Sequence, residues 1–139
     1  MLGYADVEVG TELPAQSFDI QRADLVRYAG ASGDFNIIHW NDRVATSVGL
    51  PNVIAHGMFT MALAGRVVTD WTGDPGALLS YGVRFSRPVV VPDDGVGATL
   101  TVRGIVEGKL DDNRVVVGLT ATVGDGKVLT GAKAVVRLP

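Results

Sequence analysis

The 139-residue sequence contains no cysteine, which excludes disulfide bonds and thiolate chemistry. That absence fits a reducing compartment. Basic residues form neither a block nor a stripe interleaved with aromatics, so no nucleic-acid partner is expected. No apolar run approaches the ~20 residues a membrane span requires, so no membrane association is expected. The first residues, MLGYADVEVGTELP, lack a basic stretch followed by an apolar one; no signal peptide is expected, and the cytoplasm is the expected location. Aromatic residues are scarce at 6%, and histidine occurs only twice. What remains is 47% apolar and 19% charged, with a net charge of −3, the composition of a globular chain.

A chain of this length suits one domain, expected to span residues 1–139. Its character changes near Thr72, from mostly helical to mostly strand-like periodicity. Gln16 to Ile20 reads as a short strand. Arg22 to Ala31 reads as a helix with Leu25, Tyr28 and Ala29 on one face, and Gly33 is its stop. Asn41 or Asp42 can cap a short helix running to Val48. Gly57 to Trp71 is apolar on nearly every side, the pattern of a buried helix. Four strands are predicted after it: Leu78 to Ser86, Thr99 to Glu107, Arg114 to Val123 and Lys127 to Leu138. Gly108 to Asn113 and the Gly124-Asp125-Gly126 hairpin separate the last three. Pro88 and Pro92 bracket an edge or crossing segment. One buried helix with a mostly antiparallel sheet is α+β, and a sheet wrapped around a single helix is the hot-dog arrangement; this patterning also fits other α+β folds.

Both histidines lie in glycine-bearing, otherwise apolar stretches: SGDFNIIH, ending at His39, and AHGM, containing His56. A turn over the five residues from Asp34 to His39 can bring both side chains to one pocket, with Asn36 bonding the backbone between them. A carboxylate beside an imidazole can hold and release one proton near neutral pH, as reversible addition of water to a double bond requires. The same residues also fit a loop aspartate and a satisfied core histidine. Gly57 opens the apolar helix. Its unpaired N–H and the helix dipole suit a thioester oxyanion, and plain packing suits it as well.

Beyond these elements, Tyr28 to Ala45, YAGASGDFNIIHWNDRVA, resembles the signature of the MaoC-like (R)-specific enoyl-thioester hydratases. That signature runs Gly-Asp-x-Asn-Pro-aliphatic-His, with a small residue six positions on. Gly33, Asp34, Asn36, Ile38, His39 and Ala45 match, and Ile37 departs where the family has proline. IAHGM at Ile54 to Met58 resembles the family's helix start, and VRFSRPV at Val83 to Val89 its next long strand. The resemblance implies a hot-dog fold and a hydro-lyase that reversibly dehydrates (3R)-hydroxyacyl thioesters. It implies Asp34 and His39 as the catalytic pair, Asn36 as their orienting residue and the Gly57 amide as oxyanion donor. It extends to the branch that pairs a catalytic subunit with a related, inactive one in type II elongation of fatty acids such as mycolic-acid precursors. The implied substrate is an acyl-CoA or acyl carrier protein thioester, and the implied assembly a homodimer or a heterodimer with a paralogue. No cofactor and no metal are implied.

His56, Met58, Arg84 and Arg87 are expected to contact substrate. The arginines, with Arg66, suit CoA phosphates or an acidic carrier, though solvated surface charge is an equal alternative. Met58, Phe59 and Met61 suit an acyl tunnel or core packing. Trp40 and Trp71 suit packing. Asp34, His39 and His56 lack the short spacing of a metal-ligand set. Two further readings remain open. One is a hot-dog thioesterase, against which the Asp-x-Asn-x-x-His spacing speaks. The other is a non-catalytic subunit, which would be expected to lack Asp34 or His39.

Overall fold

The computed structural model describes residues 2–139. A first strand, β1 (Glu12–Ile20), leads into α1 (Arg22–Ser32), α2 (Asp42–Ser47) and the long α3 (Gly57–Thr72); β2 (Leu78–Phe85), β3 (Ala98–Leu110), β4 (Arg114–Val123) and β5 (Gly126–Arg137) follow. The strands form one antiparallel sheet in the order β1-β3-β4-β5-β2. Its inward-facing side chains alternate along β3, where Leu100, Val102 and Val106 point into the core shared with Val67 and Val68 of α3. This is the expected α+β hot-dog arrangement. No helix among the described residues is long and apolar enough to cross a membrane.

Several boundaries differ from expectation, each for a local reason. β1 starts at Glu12 rather than Gln16, because it lies on the sheet edge, where Pro14 is tolerated; the register slips between Leu13 and Gln16. β3 runs through to Leu110. The connection to β4 is only Asp111–Asn113, with Asp112 and Asn113 at φ 58° and 53°, a conformation these two residue types accept.

The main correction concerns α3. Its apolar sequence predicts burial on every side, but Met58, Ala62, Arg66 and Asp70 form an exposed stripe at i+4 spacing. The sheet covers only the opposite face, where Ala64, Gly65, Val67 and Val68 are buried. Arg66 lies over the Phe18 ring at 5.4 Å, and Asp70 accepts from Gln16 Nε2 at 3.1 Å, so β1 borders the stripe.

Candidate functional site

The residues of interest are delivered by two turns and one helix start. α1 stops at Gly33, whose φ of 76° is the left-handed cap the sequence suggests. Asp34 therefore begins an exposed loop. Its carboxylate accepts the Asn36 amide N–H at 3.1 Å, and the Asn36 side-chain oxygen in turn accepts the Ile38 amide N–H at 3.3 Å. Asn36 thus caps the single helical turn Ile37–His39, which swings His39 inward while Ile37 stays on the surface. The chain then enters α2, capped by Asn41 through the Val44 amide at 3.0 Å. Ala45 is fully buried there, which explains the need for a small residue at this position.

His39 is buried, and its Nδ1 lies 2.7 Å from the Ile54 carbonyl oxygen. A carbonyl only accepts, so Nδ1 carries the proton and Nε2 is left as a free base. Asp34, His39 and His56 each place a ligand-type atom within 4.8 Å of the others. The two imidazoles stack, with centroids 3.8 Å apart and planes inclined by 24°. This arrangement suits proton exchange better than metal binding. His39 Nδ1 and His56 Nε2 already face carbonyl oxygens, which leaves each ring a single nitrogen for any further contact.

A cavity of about 280 Å³ opens beside the pair and is lined by His39, Gly57, Thr60, Phe85, Ser86 and Arg87 among others. Gly57 is the first residue of α3, so its N–H has no partner within the helix. The Phe85 ring packs so closely there that a Cβ on residue 57 would sit 3.1 Å from it, so any larger residue would have to push that ring aside. Burial pushes the His39 imidazole below its usual value of 6.5 and the neighbouring His56 adds to that, against the opposing influence of the Ile54 bond and Asp34. The neutral base therefore persists into mildly acid solution. The sign for stability follows: the unfolded chain takes up the proton first as pH falls, so stability is full above 6.5 and is lost as pH drops below it. Chemical denaturation at stepped pH is expected to show this loss in the wild type and less of it in His39→Gln.

The structure thus brings together Asp34, His39, His56 and Gly57, with Asn36 holding the turn. Of the other expected contacts, Arg87 lines the cavity, whereas Arg84 lies exposed on β2 outside it and Met58 is 58% exposed on the open stripe of α3. His56 is also not where a substrate contact is expected: it is 1% exposed and sits among His39, Tyr28 and the Asp34 backbone. The sequence reading missed Thr60, a buried polar residue of the lining one turn into α3, because it lies within an apolar run. It also missed Arg22, whose guanidinium bonds Asp42 and Asn52 at 2.7 Å and the Val91 carbonyl at 2.5 Å, fastening α1, α2 and the approach to α3 together. Nothing local in the sequence marks either role.

A hot-dog fold with an aspartate and a histidine meeting at the start of its long helix defines a recognisable class. The chain belongs to the MaoC-like domain family, whose model matches residues 6–124. It is 38% identical over 104 residues to a 3-hydroxyacyl-thioester dehydratase X of Mycobacterium tuberculosis, covering 68% of this chain but only 36% of that protein. Over 100% of this chain and 85% of the relative it is 32% identical to a 3-hydroxybutyryl-CoA dehydratase of Methylorubrum extorquens. An (R)-specific enoyl-CoA hydratase of Rhodospirillum rubrum is 34% identical over 86% of this chain and 81% of its own length. Among solved structures, a MaoC-like dehydratase superposes with a TM-score of 0.95 at 40% identity, over 99% of this chain and 42% of that one. The ChsH1-ChsH2 complex of M. tuberculosis superposes with a TM-score of 0.83 at 25% identity, over 96% of this chain and 99% of that one.

Proposed function

We propose that this chain is a (3R)-hydroxyacyl-thioester dehydratase, working in reverse as an (R)-specific enoyl-thioester hydratase. The observation that carries the reading is a histidine in the wall of a cavity that also holds a helix N-terminus, with one nitrogen committed to a carbonyl and the other left basic; the Asp34 carboxylate lies within 4.8 Å of it, outside the lining itself. In dehydration, His39 Nε2 takes the C2 proton, and that C–H electron pair becomes the C2=C3 bond. The C3–O pair leaves with the hydroxyl, which takes the proton of Asp34 in its carboxylic-acid form to give water; the His39 imidazolium then passes the C2 proton to the Asp34 carboxylate, which restores both groups. The Gly57 N–H stabilises the charge that builds on the thioester oxygen. Asn36 keeps the Asp34 loop in register. Arg87, at the cavity wall, meets the phosphate of CoA or of a carrier-protein arm.

The setting is fatty-acid elongation in the cytoplasm, with longer chains such as mycolic-acid precursors within its scope. The partner is a second hot-dog chain, identical or paralogous. In support, β2 is a free sheet edge next to the cavity-lining Phe85, Leu79 and Phe85 are exposed on it, and the similar ChsH1-ChsH2 structure is a complex of two chains. The purified chain is expected to hydrate crotonyl-CoA to the (3R)-3-hydroxy product without releasing thiol. Thiol appearing to a thiol-reactive dye in place of hydration would assign the site to hydrolysis and overturn the reading.

A further inference from the structure

We infer that His56 is a positioning residue: its ring joins the Asp34 backbone to the His39 ring and so assembles the proton-transfer pair. The inference rests on the dehydratase reading of the site and assigns His56 no contact with substrate.

Three observations meet at this side chain. Its Nε2 lies 3.1 Å from the Asp34 main-chain oxygen, an acceptor, so Nε2 carries the proton. Its ring lies against His39 at 3.8 Å and against Tyr28 at 4.7 Å, and Tyr28 is in turn backed by Phe59 at 5.2 Å. Its Nδ1 is buried and has no hydrogen-bond partner among the described residues. A buried acceptor without a donor costs stability. A phenyl ring would fill the same space and stack in the same way without that cost. What phenylalanine lacks is the Nε2–H.

The value of that donor lies in where Asp34 sits. The loop following Gly33 is exposed. The other bonds Asp34 makes, to Ser32 Oγ and the Asn36 amide, reach only two residues along the chain and move with the loop. The bond from His56 fastens Asp34 to the start of α3, the same place that presents Gly57. One ring therefore fixes the carboxylate, the base and the oxyanion donor relative to one another. The groups facing it are His39, Asp34 and Tyr28. A proton on Nδ1 would put a cation directly against His39, which must itself become charged during the reaction.

Two variants separate this role from packing. His56→Phe keeps the ring and removes the donor; His56→Gln keeps an amide donor and removes the ring. Loss of positioning is expected to lower kcat for crotonyl-CoA hydration in His56→Phe roughly 10–100-fold with little change in KM. The His56→Gln rate is expected to lie above that of His56→Phe, although glutamine packs worse. If only packing mattered, His56→Phe would keep the wild-type rate and His56→Gln would be the slower variant, and that order overturns the inference. The wild-type protein supplies a test independent of any variant's folding. With only two histidines, a long-range ¹H–¹⁵N correlation at alkaline pH is expected to show one Nδ1–H ring, lost in His39→Ala, and one Nε2–H ring. An Nδ1–H tautomer at His56 refutes the proposal. If His39→Ala keeps wild-type activity, the dehydratase reading itself fails; if His39 is needed and His56→Phe is fully active, only the inference about His56 fails.

Discussion

His39→Ala is expected to lower kcat/KM for enoyl-thioester hydration by roughly 10²–10⁴, the usual contribution of a positioned acid–base group. The loss should fall on kcat, because the nitrogen it removes acts on the C2 proton rather than on the carrier. Asp34→Asn keeps the shape of the side chain and an oxygen able to accept the Asn36 N–H, yet it cannot shuttle a proton, so its expected loss is of the same order. The informative variant is the double one. Two groups that hand one proton between them act as a unit, so removing both should cost about as much as removing the worse one alone. Stopped assays on crotonyl-CoA, with thermal melts to verify folding, measure all three. A double-variant loss equal to the product of the single losses would mean that the residues act independently, and rates near wild type in folded single variants would take the site away from both.

The features legible in sequence were those fixed by short-range chemistry. Gly33 ends α1 because an L side chain disfavours the left-handed cap, and the Asp34–His39 spacing closes because Asn36 can bond the next amide but one. β4 matches its predicted limits, Arg114 to Val123, because turn-forming residues flank it on both sides. The parts not legible depend on what lies across space. The exposed stripe of α3 carries Met58 and Ala62, so hydropathy alone counts it as core; only the placement of the sheet shows which side is left open. His56 is adjacent to Gly57 in sequence and reads as a possible ligand-facing residue. Its role depends on His39, 17 residues earlier, and on the carbonyl of Asp34, 22 residues away. Arg87 and Arg84 are three apart on one segment, yet Arg84 alternates with the cavity-lining Phe85 to the other face of β2, while Arg87, past the end of the strand, lines the cavity.

Gly97→Ala is expected to be among the most destabilising single methyl additions in the molecule. The residue lies just before β3 with φ at +73°, and a Cβ there would stand 2.1 Å from the main-chain oxygen of Ile20 and 3.3 Å from the Cα of Gln21. Those neighbours are backbone at the junction of β1 and α1, so no rotamer change relieves the overlap. The left-handed conformation alone costs an alanine roughly 1–2 kcal/mol. Opening the junction adds to this, for a total above about 3 kcal/mol, a large share of the ~5–15 kcal/mol that holds a domain together. The melting temperature should fall by about 10 °C or more. Gly95→Ala is the matched control: its φ is +77°, yet nothing lies within 4 Å of the added carbon, so it bears the conformational strain without the clash. Equal melting temperatures for the two variants would show that the junction yields easily. A much larger loss at Gly97 would show that it does not, and the consequence reaches the site. Gln21 caps α1, and α1 ends at Gly33, so a shift of that helix is carried to Asp34 at its far end. Gly97→Ala protein that still folds at low temperature is then expected to lose hydration activity beyond what its folded fraction explains, whereas Gly95→Ala should keep it.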